Sequence, residues 1–291
     1  MGSYGASGTH RDARRPVRGI ALDIGSSRTR AWAPGAGVYA DVPSTAVRRG
    51  RVSDDSAQLL LLKRLAASAP GAESHDTVVM LTHPVLAAPA EREAARRVVA
   101  GLGPVRVIAV DSARAAAAYA APPGGGPLLV VDLGARLTEV TLVVDGQVQD
   151  ARLAELGVDD LPPHGGVPDA VVGTAADMVS DMWREDATGA VRGALRRGVL
   201  VTGGGALRLD VTARLAQVLR ARVRLANDPA TSVVRGAGLM LASALRHPGA
   251  RRPPRRRGGR GGGAPPGAPI GGGPRGGGRP GWPPPHPGGG H

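Results

Sequence analysis

The sequence predicts an α/β fold in which strands and helices alternate along the chain. Aliphatic and β-branched runs alternate with Ala- and Leu-rich stretches from about residue 17 to about residue 245. Apolar residues make up 42% of the 291 residues, which is enough to build a core, but aromatic residues make up only 2% and phenylalanine is absent. We therefore expect a core of Val, Leu, Ile and Ala.

The first half of the chain predicts three strands and three helices in alternation. The strands are expected at residues 17–22, 77–82 and 105–110, and the helices at residues 58–69, 89–100 and 112–121. The second of these helices starts with Pro89 and carries Glu91 in its first turn. Both are favoured there, because the first turn lacks hydrogen-bond acceptors for its N–H groups and attracts negative charge.

A second series follows a break at residues 122–127. Strands are expected at residues 128–131, 138–144 and 199–201, and helices at residues 175–183, 188–196, 209–219 and 229–245. The pair Asp145-Gly146 predicts a tight hairpin after the second of these strands.

The two ends of the chain have a different composition. Residues 1–16 are polar and Gly-rich and predict a flexible leader, without the apolar stretch of a secretory signal. Residues 248–291 are mostly Gly, Pro and Arg with Trp282 as one large apolar residue, and they predict a disordered tail. Eight of the thirteen net positive charges are tail arginines, so the rest of the chain is only mildly basic.

Composition excludes several classes of function. The chain has no cysteine, which rules out disulfides, thiolate metal sites and a cysteine nucleophile. Its seven histidines are scattered without the spacing of a metal site. No stretch approaches about 18 uninterrupted apolar residues, so no membrane span is expected. The expected location is the cytoplasm, with peripheral association at the inner membrane left open.

Two segments share one plan that suits phosphate binding. Each has an apolar strand, then Asp-x-Gly, then a short turn that ends in Thr: Asp23 and Gly25 in the first, Asp132 and Gly134 in the second. A strand-end Asp can hold a Mg²⁺-bound water, and the Gly lets backbone N–H groups face phosphate oxygens. The alternative is that each Asp only caps a strand or hydrogen-bonds within its turn.

A third segment supplies a glycine run after a strand. Residues 203–205 are consecutive glycines between the predicted strand at 199–201 and a following helix. Backbone without side chains allows a base or a ribose to lie against it, and a helix N-terminus favours phosphate. The alternative is a tight turn without a ligand.

The order and spacing of these motifs resemble the actin-like ATPase superfamily, and most closely the bacterial MreB/Mbl rod shape-determining family. Residues 22–29 resemble the family's Asp-Leu-Gly-Thr-Ala-Asn-Thr, residues 111–117 its Glu-Glu-Pro-Met-Ala-Ala-Ala, residues 131–140 its Asp-Ile-Gly-Gly-Gly-Thr-Thr-Glu-Val, and residues 198–207 its adenosine motif. Residues 227–229 and 234–239 resemble the family's closing helix.

The resemblance implies a ribonuclease H-like pair of duplicated domains. Residues 17–121, completed by 235–247, would form the first actin-like lobe and residues 127–234 the second, reduced to the two core subdomains. The family carries an accessory subdomain after the segment that matches residues 43–45 and another after the segment that matches 157–160. This chain has only short stretches at those places.

The resemblance also implies ATP and Mg²⁺ as cofactors. Asp23 and Asp132 would hold Mg²⁺ through water. The other residues assigned to the nucleotide are Gly25, Ser26, Ser27 and Arg28 in the first loop, Gly134, Ala135 and Arg136 in the second, and Gly203, Gly204, Gly205 and Ala206 in the glycine segment. Arg28 and Arg136 could supply charge to phosphates or simply face solvent.

Two departures from the family pattern weaken the expected hydrolysis. Ser112 occupies the place of the catalytic Glu, with Asp111 beside it, and a serine cannot act as a carboxylate base. Ala135 and Arg136 replace two loop glycines, and we expect them to conflict with the loop's φ angles.

Three further residues are given structural interpretations. Trp183 is interpreted as a core or interface anchor, His83 as a loop residue, and Glu139 as a residue on a strand face rather than a catalytic group.

The sequence thus favours an MreB-like bacterial actin homologue that binds ATP, hydrolyses it weakly or not at all, and takes part in cell-shape or cell-wall morphogenesis. Its expected partners are copies of itself or MreB-type filaments and cell-wall morphogenesis proteins. The alternative is a non-hydrolysing scaffold whose Arg-rich tail recruits an anionic polymer or lipid, with no sequence-specific nucleic-acid binding. A sugar kinase or heat-shock-type member of the superfamily is a third, weaker interpretation.

Overall fold

The structure is a computed structural model that describes residues 18–70, 76–122, 124–161 and 169–246. These residues belong to one compact unit. The predicted leader at residues 1–16 and the predicted tail at residues 248–291 lie outside the described residues. Within the described ranges, no helix is both long and apolar enough to cross a bilayer.

The first lobe is built on a five-stranded sheet with the order β3-β2-β1-β6-β7. Strands β1 to β3 form an antiparallel meander, and β6 and β7 continue the sheet in parallel to β1. The elements of this half are β1 (Arg18–Ile24), β2 (Arg28–Ala33), β3 (Gly37–Pro43), β4 (Val47–Arg48), β5 (Arg51–Val52), α1 (Asp55–Ser68), β6 (Thr77–His83), α2 (Pro89–Ala100), β7 (Arg106–Asp111) and α3 (Ser112–Ala120).

The second lobe repeats this plan with the sheet order β10-β9-β8-β11-β12. Again an antiparallel meander is extended by two parallel strands. Its elements are β8 (Leu128–Leu133), β9 (Thr138–Val144), β10 (Gln147–Ala154), α4 (Asp169–Glu185), α5 (Ala190–Arg197), β11 (Val199–Thr202), α6 (Leu209–Leu219) and β12 (Val223–Leu225). The last helix, α7 (Ser232–Arg246), returns to the first sheet and packs on β1 and β6. The predicted duplicated α/β architecture is confirmed.

Helices α3 and α7 pack together between the two sheets. Their small residues allow this, because a Cβ on Gly236 of α7 would collide with the backbone carbonyl of Ala115 on α3. A buried cluster joins α3 and α7 to residues of both sheets, such as Val78 on β6 and Leu200 on β11. The two lobes therefore share this one buried cluster.

Local sequence predicted most elements within a few residues. The α2 helix, the β9 strand and the α6 helix have the predicted bounds. The Asp145-Gly146 hairpin is also confirmed, since both residues have positive φ values of 51° and 75°, as a two-residue turn between twisted strands requires.

Two expectations about placement need correction. Trp183 is half exposed, and the guanidinium carbon of Arg192 lies 6.0 Å from the centre of its ring, so it is not a core anchor; the alternative of an interface anchor stays a prediction. The predicted strand at residues 17–22 runs on to Ile24, so Asp23 lies inside β1 and not after it. Strands β2, β3, β4, β5 and β12 have no counterpart among the predicted elements.

Candidate functional site

The predicted motifs come together around one cleft between the two sheets. A cavity of about 440 Å³ is lined by both Asp-x-Gly segments, by the glycine segment and by the start of α3. This volume lies within the range of roughly 300–1,000 Å³ that is common for small-molecule sites. Twelve of the thirteen residues that the sequence assigns to the nucleotide line it; the exception is Ala206, which is buried behind the wall.

The two Asp-x-Gly turns have the same geometry. Gly25 N–H donates to the carbonyl of Arg28 at 3.0 Å, and Gly134 N–H donates to that of Leu137 at 2.8 Å. A Cβ on either glycine would come within 2.9 Å of that carbonyl, which explains why both turns need glycine. In the antiparallel strand pairing, Asp23 of β1 is opposite Arg30 of β2, and Asp132 of β8 is opposite Glu139 of β9 in the same way. The turns are thus structural copies that face each other across one cleft.

The second turn forms without the family's extra glycines. Neither Ala135 nor Arg136 is among the residues with positive φ, so the expected conflict with the loop's φ angles is wrong. The carbonyls of Gly134 and Ala135 accept hydrogen bonds from the N–H groups of Val158 and Asp159, at 3.1 and 2.8 Å. The turn is therefore held from behind by the segment that follows β10.

The glycine run contains one position that is open to the cleft. Gly203 has a φ of +86°, and a Cβ there would collide with the carboxylate of Asp132. Gly205 packs against Val158, whereas a Cβ on Gly204 would meet nothing within 4 Å. Gly203 and Gly205 thus serve close packing, and Gly204 presents bare backbone to the cavity.

The two predicted metal-side carboxylates lie at the carboxyl ends of β1 and β8 and line the same cavity. Burial raises the pKa of Asp132 to about 7, and the negative charge of Asp23 adds to this rise. Burial also raises the pKa of Asp23, against the opposing charge of Arg30. A cation between them would relieve both effects.

Arg30 is a site residue that sequence reasoning missed. Its side chain is only 12% exposed, lines the cavity, and lies 3.6 Å from Asp23 and 3.3 Å from Asp41. Its Nε has no hydrogen-bond partner among the described residues. Arg28, which was predicted, also lines the cavity but is tied to the carboxylate and the carbonyl of Asp41. The strand alternation of β2, which places both arginines on one face, was the available signal.

Glu139 is a second missed residue. It is on β9 as predicted, but its buried side chain lines the cleft, only 4% exposed. Oε2 accepts a hydrogen bond from Ser112 Oγ at 3.1 Å, and Oε1 accepts one from the N–H of Val85 at 2.7 Å. Burial raises the pKa of Glu139 to about 7, with a further contribution from the charge of Asp132. The second lobe thus supplies a carboxylate beside the serine that occupies the family's catalytic position.

Of two neighbouring residues at the ends of β7 and β6, Asp111 and His83, only His83 lines the cavity. Asp111 does not line the cavity, and its carboxylate lies 3.7 Å from Nδ1 of His83. His83 is the last residue of β6 and does line the cavity, so its assignment to a loop was wrong.

Comparison with solved structures identifies the fold. MreB5 of Spiroplasma citri bound to ADP matches with a TM-score of 0.68 at 16% identity, over 78% of this chain and 97% of that one. The same protein bound to AMPPNP matches with a TM-score of 0.66 at 17% identity, over 78% of this chain and 96% of that one.

The chain has the actin-like ATPase fold. The ethanolamine utilization protein EutJ from Carboxydothermus hydrogenoformans also matches, with a TM-score of 0.53 at 20% identity, over 76% of this chain and 88% of that one. No protein-family model and no curated protein matches the sequence. At these identities the shared feature is the actin-like fold.

The cleft of this actin-like fold fits a magnesium–polyphosphate group. In residues 18–70, 76–122, 124–161 and 169–246, no group of three or more His or acidic side chains is placed to hold a metal ion directly. Two carboxylates on opposite walls suit a cation that keeps its waters and bridges phosphates, as Mg²⁺ prefers. The glycine turns offer backbone N–H groups to the phosphates, and the guanidinium of Arg30 adds positive charge to the cleft wall.

Proposed function

We propose that the protein binds ATP with Mg²⁺ in this cleft. The observation that carries the proposal is the pair of matching Asp-x-Gly turns that face one cavity from two sheets. Asp23 and Asp132 would hold the cation through water, and Ser26, Ser27 and Gly134 would contact phosphates. The open backbone at Gly204 would lie against the nucleoside.

Nucleotides are bound by proteins of the same fold. The structures of MreB5 of Spiroplasma citri contain ADP and AMPPNP. We propose that the site of this chain takes the same class of ligand, with weak hydrolysis because Ser112 replaces a carboxylate. The carboxylate of Glu139, beside Ser112, is then the group best placed to orient a water.

The biological role we propose is that of an MreB-like cytoplasmic protein in cell-shape or cell-wall morphogenesis. Self-association, or association with MreB-type filaments and cell-wall morphogenesis proteins, fits this role. Peripheral association with the inner membrane would require the Arg-rich segment at residues 248–291, whose positive charge attracts anionic lipid.

Calorimetric titration with Mg-ATP tests the nucleotide proposal. We expect binding by the wild type and loss of binding in Gly204→Asp, because a carboxylate there would repel the nucleotide without disturbing any packed neighbour. Asp177→Asn on the exposed side of α4 is the matched control and should bind normally. Absence of heat in the wild type, or equal binding by Gly204→Asp, would refute the proposal.

A non-hydrolysing scaffold is the second candidate function, favoured by the serine at position 112. It predicts that the wild type binds nucleotide without steady phosphate release. Phosphate release that Asp132→Ala abolishes would rule it out.

A further inference from the structure

A two-residue hairpin tip lies beside the cleft, and its Gly50 lines the cavity. Strands β4 and β5 pair through Val47 with Val52 and through Arg48 with Arg51, which leaves Arg49 and Gly50 as the turn. Both turn residues have positive φ, 47° and 76°, as a tight primed turn requires. The hairpin lies between β3 and α1 and therefore belongs to the first lobe.

The base of this hairpin is fixed to the first lobe. Ala46 and Val47 are each 4% exposed, and Ser53 N–H donates to the carbonyl of Ala46 at 2.8 Å. Before the hairpin, Ser44 N–H donates to the carbonyl of Ser27 at 2.8 Å. The tip therefore projects from a rigid base.

Arg49 connects the tip to the second lobe. Its guanidinium donates to both carboxylate oxygens of Asp160, at 3.1 and 3.3 Å, and to the carbonyl of Arg136 at 3.2 Å. It also donates to the carbonyl of Glu155. Although partial burial acts to raise the pKa of Asp160, hydrogen bonds from Gly157 and Arg49 lower it below its usual value. The pair therefore stays charged at neutral pH.

Gly50 connects the same tip to the first phosphate loop. Its N–H donates to Ser26 Oγ at 2.9 Å, so the hydroxyl proton of Ser26 is directed elsewhere and remains available as a donor. A Cβ on Gly50 would lie 2.8 Å from the side chain of Leu137, so the tip also packs on the second loop. Two adjacent residues thus contact both loops that would hold the phosphates.

We infer that the tip Arg49–Gly50 is a strap that positions both phosphate loops, and that its bond to Asp160 slows nucleotide entry and release by holding those loops in place. The strap stands where the resembling family carries an accessory subdomain. Its bidentate Arg49 fixes direction as well as distance. Arg51 adds a more exposed ion pair to Glu155 of the second lobe. The statement about nucleotide exchange rests on the proposed function; the statement about loop order does not.

The test compares two neighbouring arginines of the hairpin. Arg49→Ala removes the bridge to the second lobe, whereas Arg48→Ala removes an exposed side chain from the same hairpin and serves as the control. Amide hydrogen exchange is measured on full-length protein without nucleotide. We expect Arg49→Ala to speed exchange at residues 134–137 and 157–160 by about tenfold or more, and Arg48→Ala to leave it unchanged.

Release of a fluorescent ADP with Mg²⁺ provides the second readout. Arg49→Ala should speed both binding and release, with release about 10- to 100-fold faster, because charge-assisted contacts across the cleft are lost. Asp160→Asn breaks the same bridge from the other lobe and should reproduce the effect, and the double variant should add little more.

The outcomes separate the two proposals. If the wild type binds no nucleotide but Arg49→Ala loosens the loops, the proposed function fails and the strap stands. If Arg49→Ala and Asp160→Asn leave loop exchange unchanged, the strap is refuted whatever the protein binds. Should Arg49→Ala not fold, Asp160→Asn alone decides between these results.

Discussion

Replacing Asp132 with asparagine should stabilise the nucleotide-free protein at high pH while abolishing nucleotide binding. The carboxyl is buried beside Asp23, and its pKa is raised from 3.8 to about 7. A native pKa above the unfolded value means that the folded state binds more protons between about pH 4 and about pH 7. Stability from this group is thus present at low pH and lost as pH rises through 7.

The size of the effect follows from the shift. A rise from 3.8 to about 7 is about three pKa units, and at ~1.4 kcal/mol each they set a ceiling of about 4 kcal/mol. Water in the open cleft screens the charges, so we expect Asp132→Asn to gain about 2 kcal/mol at pH 8. Part of this gain comes from Glu139, whose pKa is raised partly by the charge of Asp132.

Urea denaturation of the wild type and the variant, at pH 5 to 8 without Mg²⁺ or nucleotide, measures the difference. The difference in free energy of unfolding should favour Asp132→Asn, amount to about a third of its full size at pH 5, grow up to about pH 7 and level off toward pH 8. Asp177→Asn, on the exposed side of α4, should show no such trend. A difference that is independent of pH, or a variant less stable than the wild type at pH 8, would show that the carboxylate is not strained by its surroundings.

Three other substitutions test the packing and the chemistry of the cleft. Gly203→Ala should cost about 2–4 kcal/mol in urea denaturation, because its φ is +86° and its Cβ would meet a carboxylate on β8; a neutral result would contradict the tight turn. Gly236→Ala should cost about 2–3 kcal/mol by the same assay, because its Cβ would push α7 away from the backbone of α3. Its control, Gly173→Ala in open space on α4, should instead gain about 0.5–1 kcal/mol. Glu139→Gln should lower steady phosphate release by about tenfold or more while Mg-ATP still binds; unchanged release would remove Glu139 from any role toward water.

Local chemistry made several parts of the fold predictable. The α2 helix starts with Pro89 and Glu91, and the β9–β10 hairpin turns at Asp145-Gly146, because these residues favour those conformations in any context. Strands β2 and β3 were missed, since both mix charged and apolar residues. The buried face of β2 carries only the small residues Thr29, Ala31 and Ala33, and no residue of β3 is fully buried. Their pairing with β1 stabilises them more than their own composition does.

The candidate site also contains residues that the local sequence predicts and residues that it does not. The glycines of the two Asp-x-Gly turns could be read from the sequence, because a close approach of the backbone needs glycine wherever it occurs. Glu139 could not be assigned, since it is one polar residue on an ordinary strand, and the alternation that places Arg30 beside Arg28 was usable only once β2 was known to be a strand. Only sheet pairing across from Asp23 and Asp132 brings them into the cleft.

The sequence by itself determined the helices, most of the long strands and the tight turns, and that two of those turns are alike. Tertiary structure decided that the copies face one cleft, that Glu139 lies beside Ser112, and that Arg49 reaches from one lobe to Asp160 on the other. Turn and strand preferences depend on a few neighbouring residues, so the local sequence is enough to predict them. The contact of Ser112 with Glu139 joins residues that are 27 positions apart in the sequence, and the contact of Arg49 with Asp160 joins residues 111 positions apart. Such contacts exist only once the two lobes have packed around α3 and α7, and no local pattern encodes them.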